Sequence, residues 1–213
     1  TFLLVGSLGE VPERPLWDIP PPDPEFGAAA QGFAWLDDLA VLGTTEARRK
    51  AQAWTWDWIA RFGAGRGPGW MPDLIGRRII RWVHHATFLM AGRSKSETEA
   101  FYRSLARQSA FLSRRWQAAA PGLPRIEALT GLVYAGLSLI GSQGLIAPAS
   151  AALARACATE VDEGGGIASR NPEDLLEVLT LLTWAASAMT DAGSPVPQQL
   201  YAAIARIAPA MRS

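Results

Sequence analysis

The chain has 213 residues, 49% of them hydrophobic, and its 20 basic and 20 acidic side chains give a formal net charge of zero. That length suffices for a full core in one large domain or two small ones, and the charge balance argues against strong nonspecific binding to nucleic acid. No apolar run approaches the roughly 18 residues that a membrane span requires, and the single cysteine, Cys157, cannot make an internal disulfide.

The opening run Phe2 to Leu8 is apolar and reads as a strand with no partner nearby in sequence, an arrangement that leaves its edges unpaired. Pro12, Pro15, Pro20, Pro21 and Pro22 then forbid a helix. Residues 1–22 are expected to form an extended arm and residues 23–213 an all-α domain. Thr1 to Gly6 lacks the basic segment of a signal peptide, which leaves periplasm and cytoplasm both open. A first residue other than Met, and an end at Met211-Arg212-Ser213 without a visible stop signal, read as a piece of a longer protein.

From Asp23 onward the apolar spacing is helical. Asp23-Pro24-Glu25 combines an N-cap, a first-turn proline and an early acid, and one helix is predicted from there to Gly43. Thr44 or Thr45 caps a second, with Ala47, Ala51, Trp54, Trp58 and Phe62 on one face. After the loop Gly63–Gly69, a third runs from Pro72 to Gly92 with Ile75, Ile79, Trp82, Val83, Ala86 and Met90 as its core stripe. Ser94-Lys95-Ser96-Glu97 is a capping box for the fourth. Further helices are predicted over 124–140, 148–161, 171–193 and 197–211. Links of about 2 to 8 residues between long helices make antiparallel hairpins. The helix around Leu129 and Val133 is apolar on more than one face and must be sandwiched. Cys157, in an Ala-rich helical run, reads as a buried inert thiol.

Four segments carry a family resemblance. They are Pro15-Leu16-Trp17-Asp18 with Trp35-Leu36, the run Arg77 to His85, Pro121-Gly122-Leu123-Pro124-Arg125, and Gly165-Gly166-Ile167-Ala168-Ser169-Arg170-Asn171-Pro172. Together they resemble the heparinase II/III-like proteins. The resemblance implies an incomplete (α/α) toroid of antiparallel helical hairpins, followed in the family by a β-sandwich absent from this chain. It further implies binding of an acidic, uronate-containing polysaccharide, with cleavage by β-elimination. That reaction needs the uronate carboxylate neutralised, a base for the C5 proton and an acid for the departing oxygen. The chain departs from the family's pattern at two places. Leu123-Pro124 stands where an Asn-His pair is expected, and Asn171-Pro172-Glu173-Asp174-Leu175 replaces a Ser-Pro-x-Tyr-His pattern, so a retained lyase activity stays open.

The candidate residues each have a bland reading beside the functional one. Asn171 is placed to bond a substrate carboxylate, and it is equally an N-cap before Pro172-Glu173. His84 and His85 are the imidazoles available as a base, and a packed or interfacial role is the alternative. The glycine run before Arg170 permits close approach to a ligand. Arg77, Arg81 and His84 share one helix row, and Arg78, Arg81 and His85 another. With Arg170, the arginines Arg77 and Arg81 are expected to meet an anion. Trp70 and Trp54 are expected to line a groove and stack on sugar. No His, Cys or acid stands at zinc-like spacing, so neither metal nor cofactor is expected. Two other classes remain: a noncatalytic helical scaffold, and a glycoside hydrolase drawing on Asp37, Asp38, Glu173 and Asp174.

Overall fold

A computed structural model describes residues 2–4, 7–9 and 13–211, the first two segments by their backbone alone. The apolar opening run does not stay single: Phe2–Leu4 (β1) pairs antiparallel with Ser7–Gly9 (β2). The expected strand thus folds back on itself, while Pro12 of the expected arm lies outside the described residues. The arm is anchored from Pro15 onward. Leu16 is buried in a short 3-10 turn, Trp17 Nε1 donates to Asp57 Oδ2 at 2.7 Å, and Asp18 pairs with Arg61 at 2.5 Å.

The all-α class follows in ten helices among the described residues: α1 (Pro24–Gln31), α2 (Ala34–Leu42), α3 (Thr45–Phe62), α4 (Pro72–His84), α5 (Ala86–Met90), α6 (Lys95–Arg115), α7 (Leu123–Ser138), α8 (Ile146–Glu160), α9 (Pro172–Asp191) and α10 (Gln198–Ala210). Local chemistry sets most of the starts. Asp23, Thr44, Ser94 and Asn171 each accept a first-turn backbone N–H, and Ser94 with Glu97 completes the capping box. Two helices predicted as continuous are broken. Phe33 takes a left-handed φ of 66°, which ends α1 and starts α2, and its ring is buried against Trp35, Trp58 and Trp82. Aromatic packing therefore overrides the helical spacing that continues through this point. His85 leaves helical geometry between α4 and α5 and turns its ring to Asp37.

Helix α7 is the centre. Every residue from Ile126 to Gly136 is buried, because α4, α6, α8 and α9 all pack on it. Helix α10 closes over α8 and α9, while α3 joins α2, α5 and α6. These neighbour relations define a cluster around α7 and do not by themselves establish the expected ring of hairpins. The closest approach is α4 on α7. A Cβ on Gly131 would meet Gly76 Cα at 2.5 Å, and one on Gly76 would run into the Glu127 carbonyl. No side chain fits between those two backbones.

The α1–α6 side is aromatic, with Phe33, Trp35, Trp58, Trp82 and Phe101 fully buried. Arg78 is buried among them at 0% exposure, its guanidinium 4.0 Å from the Trp58 ring centroid. Its three nitrogens donate to Gln108 Oε1, Gln31 O and Gly69 O. Burial pushes its pKa down to about 9, which still leaves the cation intact at neutral pH. Cys157 is buried and its thiol is pushed up to about 12, also by burial, in keeping with an inert side chain. Among the described residues no helix is long and apolar enough to cross a membrane.

Candidate functional site

Helices α4 and α9 both lean on α7, and a cleft of about 340 Å³ lies between them. Its α4 wall is the row Arg77, Arg81 and His84, one helical turn apart as their spacing requires. Its α9 wall is Glu173, Leu176, Glu177, Thr180 and Trp184, and the apolar floor is Ile80 and Leu181. Asp37 of α2 closes one end.

The cationic row is already engaged. Arg81 Nε donates to Asp37 Oδ2 at 2.8 Å and its Nη1 to the Gly32 carbonyl at 3.2 Å. His85 Nε2 lies 2.8 Å from the other Asp37 oxygen. Burial works against charge on Asp37, but the His85 hydrogen bond and Arg81 outweigh it and hold the carboxyl below its ordinary value. Arg77 Nε reaches 2.5 Å from Oε1 of Glu127, whose side chain is wholly buried on α7. Burial pushes the Glu127 carboxyl up to about 8, an effect that Arg77 only partly offsets. Among the described residues no hydrogen-bond donor reaches Glu127 Oε2.

His84 faces the cleft with its ring edge-on to Tyr134 and Trp184, centroids 4.9 and 4.8 Å away. Burial, followed by the neighbouring His85, lowers its pKa against the pull of Asp37, so at neutral pH it is an uncharged ring. It ties α4 to α7 and α9.

The other candidates lie elsewhere. Asn171 caps α9: its Oδ1 accepts from the Glu173 N–H at 3.0 Å and its Nδ2 donates to Asp174 at 3.1 Å. Arg170 is exposed, on a left-handed φ of 52° just before that cap. The glycine run serves packing here, since Gly165 has φ 82° and a Cβ on it would run into the Arg206 carbonyl of α10. Trp70, expected to be exposed, is 8% exposed; its Nε1 donates to the Phe62 carbonyl and its ring packs on Trp58 and Phe111. Trp54 is 2% exposed and packs edge-on against Trp35. Both are core residues, because their helix faces turn toward the aromatic cluster. Trp184 lines the α4–α9 cleft, 42% exposed, on the same wall as Leu176 at 52%, and Trp17 lines a second groove with Phe26 and Phe62. The legible signal was the row Leu176, Thr180 and Trp184 at i, i+4 and i+8, opposite the buried Val178, Leu182 and Met189. Among the described residues no group of three or more His, Cys, Asp or Glu is placed to hold a metal ion.

No family model matches the chain, and no solved structure matches it. Among curated proteins it is 33% identical over 198 residues to FtsZ-localized protein C of Caulobacter vibrioides. The match spans 92% of this chain but 34% of that relative, so the chain covers about a third of the relative's length. This finding overturns the heparinase II/III-like resemblance. The uronate lyase activity and the acidic polysaccharide as partner fall with it, and the companion β-sandwich loses its support. The motifs that suggested them have structural explanations: Asn171 caps a helix, Gly165 seats a loop on α10, and Arg77 and Arg81 pair with carboxylates of the same chain.

Proposed function

We propose that this chain is a binding region of a cell-division-associated protein and that it acts in association with FtsZ. The observation that carries this is the 33% identity to FtsZ-localized protein C across 92% of the chain. The cleft geometry supports a binding role. Its arginines are paired within the chain, and its α9 wall exposes Leu176 and Trp184, two turns apart on one row. Exposed apolar groups framed by charged ones favour contact with another macromolecule.

The test is co-sedimentation with FtsZ filaments. The purified chain is expected to pellet when FtsZ is assembled with GTP and to stay in the supernatant without filaments. Imaging of the tagged full-length protein is expected to show it where FtsZ is. A chain that never enriches in the pellet, from a protein spread evenly through dividing cells, would overturn the proposal.

A further inference from the structure

We propose that the α4–α9 cleft is a docking site for a protein segment that presents an arginine or lysine beside a leucine-like side chain. This rests on the reading of the chain as a binding region and names the chemistry that the region selects.

Arg81 is paired with Asp37, and Arg77, held against Glu127, has Asp73 and Glu177 within electrostatic reach. Burial keeps the Glu127 carboxyl largely protonated at neutral pH, so it does not cancel the charge of Arg77. Glu173 and Glu177 on the opposite wall make no ion pair among the described residues. His84 is uncharged at neutral pH. Four carboxylates, Asp37, Asp73, Glu173 and Glu177, thus stand against the two arginines Arg77 and Arg81, so a cleft whose sequence pattern is a basic row is acidic on balance, with Glu173 and Glu177 lining its α9 wall.

The apolar part fits the same visitor. Ile80 and Leu181 form a floor, and Leu176 and Trp184 stand exposed above it. Basic side chains carry long aliphatic stems that pack on apolar surface while the charged head stays near water. An indole face is the best aromatic partner for such a cation. The stem would lie on the apolar strip between Trp184 and Leu176, with the cationic head toward Glu177 and Glu173, about two and about three turns from Trp184 in the direction of the start of α9. A volume of about 340 Å³ suits one or two inserted side chains rather than a whole helix. An acidic segment meets the opposite situation, since Glu173 and Glu177 repel it and the arginines are not free to receive it.

The experiment uses three fluorescent synthetic peptides and the intact chain, read by anisotropy. One peptide carries repeated Leu-Arg pairs, the second Leu-Glu, and the third Ser-Arg. The Leu-Arg peptide is expected to bind saturably, with the other two at least about tenfold weaker. Glu173→Lys/Glu177→Lys is expected to reverse the preference toward Leu-Glu, and Trp184→Ala to weaken Leu-Arg binding at least about tenfold while circular dichroism and melting are retained. Equal binding of the Leu-Arg and Leu-Glu peptides, binding indifferent to these folded variants, or no saturable binding of any peptide would overturn the proposal. Filament pelleting separates this from the broader reading. A chain that shows the peptide pattern but never pellets with FtsZ keeps the cleft and loses the FtsZ association. One that pellets equally well with and without the Glu173→Lys/Glu177→Lys change, and shows no peptide preference, keeps the association and loses the cleft.

Discussion

Helix α4 has two neighbours of opposite character. Against α7 it meets backbone with backbone, Gly76 on Gly131, and nothing larger than hydrogen fits. Toward α9 it leaves a cleft in which charged side chains face one another across an apolar floor. One helix thus carries both faces: Gly76 and Ile79 are buried, while Arg77, Arg81 and His84 reach the cleft over a floor that includes the buried Ile80. The difference shows what each side is specified by. The seam is specified by shape, with no tolerance for volume, and the cleft by electrostatic pairing, which permits substitution at modest cost in stability.

The largest expected effect is therefore in the seam. Gly131→Leu places a side chain where even a Cβ lies 2.5 Å from Gly76 Cα. It is expected to cost more than the ~1–3 kcal/mol typical of overpacking, because the obstructing atoms are backbone and the helices must separate. Gly144→Ala, with nothing within 4 Å of the new Cβ, is the control and should stay within about 0.5 kcal/mol. Urea denaturation of both variants checks this. Similar losses in the two would mean that the seam is not the constraint described.

Next in size is the buried carboxyl where seam and cleft meet. Glu127 is raised from 4.5 to about 8 by burial, so the folded state holds its proton more tightly than the unfolded chain does. Its contribution is fully present below about 4.5 and is lost as pH rises toward about 8. Stability should fall by up to a few kcal/mol between about pH 5 and about pH 8. Glu127→Gln, which mimics the neutral form, should flatten that slope. Denaturation midpoints of both proteins across the range decide it, and identical slopes would remove Glu127 from the account.

The seam and the cleft differ equally in how well the sequence announced them. The helical spacing located α3, α6, α7 and α9 closely, and Asp23, Ser94 and Asn171 cap as their types require. The row Arg77, Arg81 and His84 was legible too, as one face of one helix. What it faced was not legible. Glu127 and Asp37 lie 50 and 40 positions from Arg77 in the chain, and only tertiary packing brings one against Arg77 and the other to the end of the same cleft. An arginine row read without its counter-ions looks like an anion site, and so the lyase expectation gained apparent support. Trp54 and Trp70 are buried for a related reason. Helical spacing tells which residues share a face with Trp54, and the glycine loop suggests exposure for Trp70, but neither tells whether a side chain meets water or the Phe33 cluster.

A smaller effect is expected at the end of the cleft. Asp37→Ala removes the partner of both Arg81 and His85. Because Asp37 is about half exposed, solvent screening limits the loss to roughly 1 kcal/mol. The charge balance shifts more than the stability does. Arg81 becomes available to an anion, so the Leu-Arg peptide should weaken and the Leu-Glu peptide strengthen. An unchanged ratio between them would show that Arg81 does not contribute to the cleft's selectivity.

Trp184→Ala should have the smallest effect on stability and the most local signature. The indole is 42% exposed, so its loss should cost about 1 kcal/mol or less. Its ring nevertheless covers one side of His84 at 4.8 Å. Burial is the leading cause of the lowered His84 pKa, and removing that cover admits water to the imidazole and favours its charged form. The His84 titration, followed by its ring proton resonance, should therefore move upward in the variant, while the Glu127-dependent slope in the seam stays as it was. The two readouts separate because the indole meets α4 at His84, in the cleft. If the His84 titration does not move, the ring is protected by Tyr134 alone and the cleft is more closed than its lining implies.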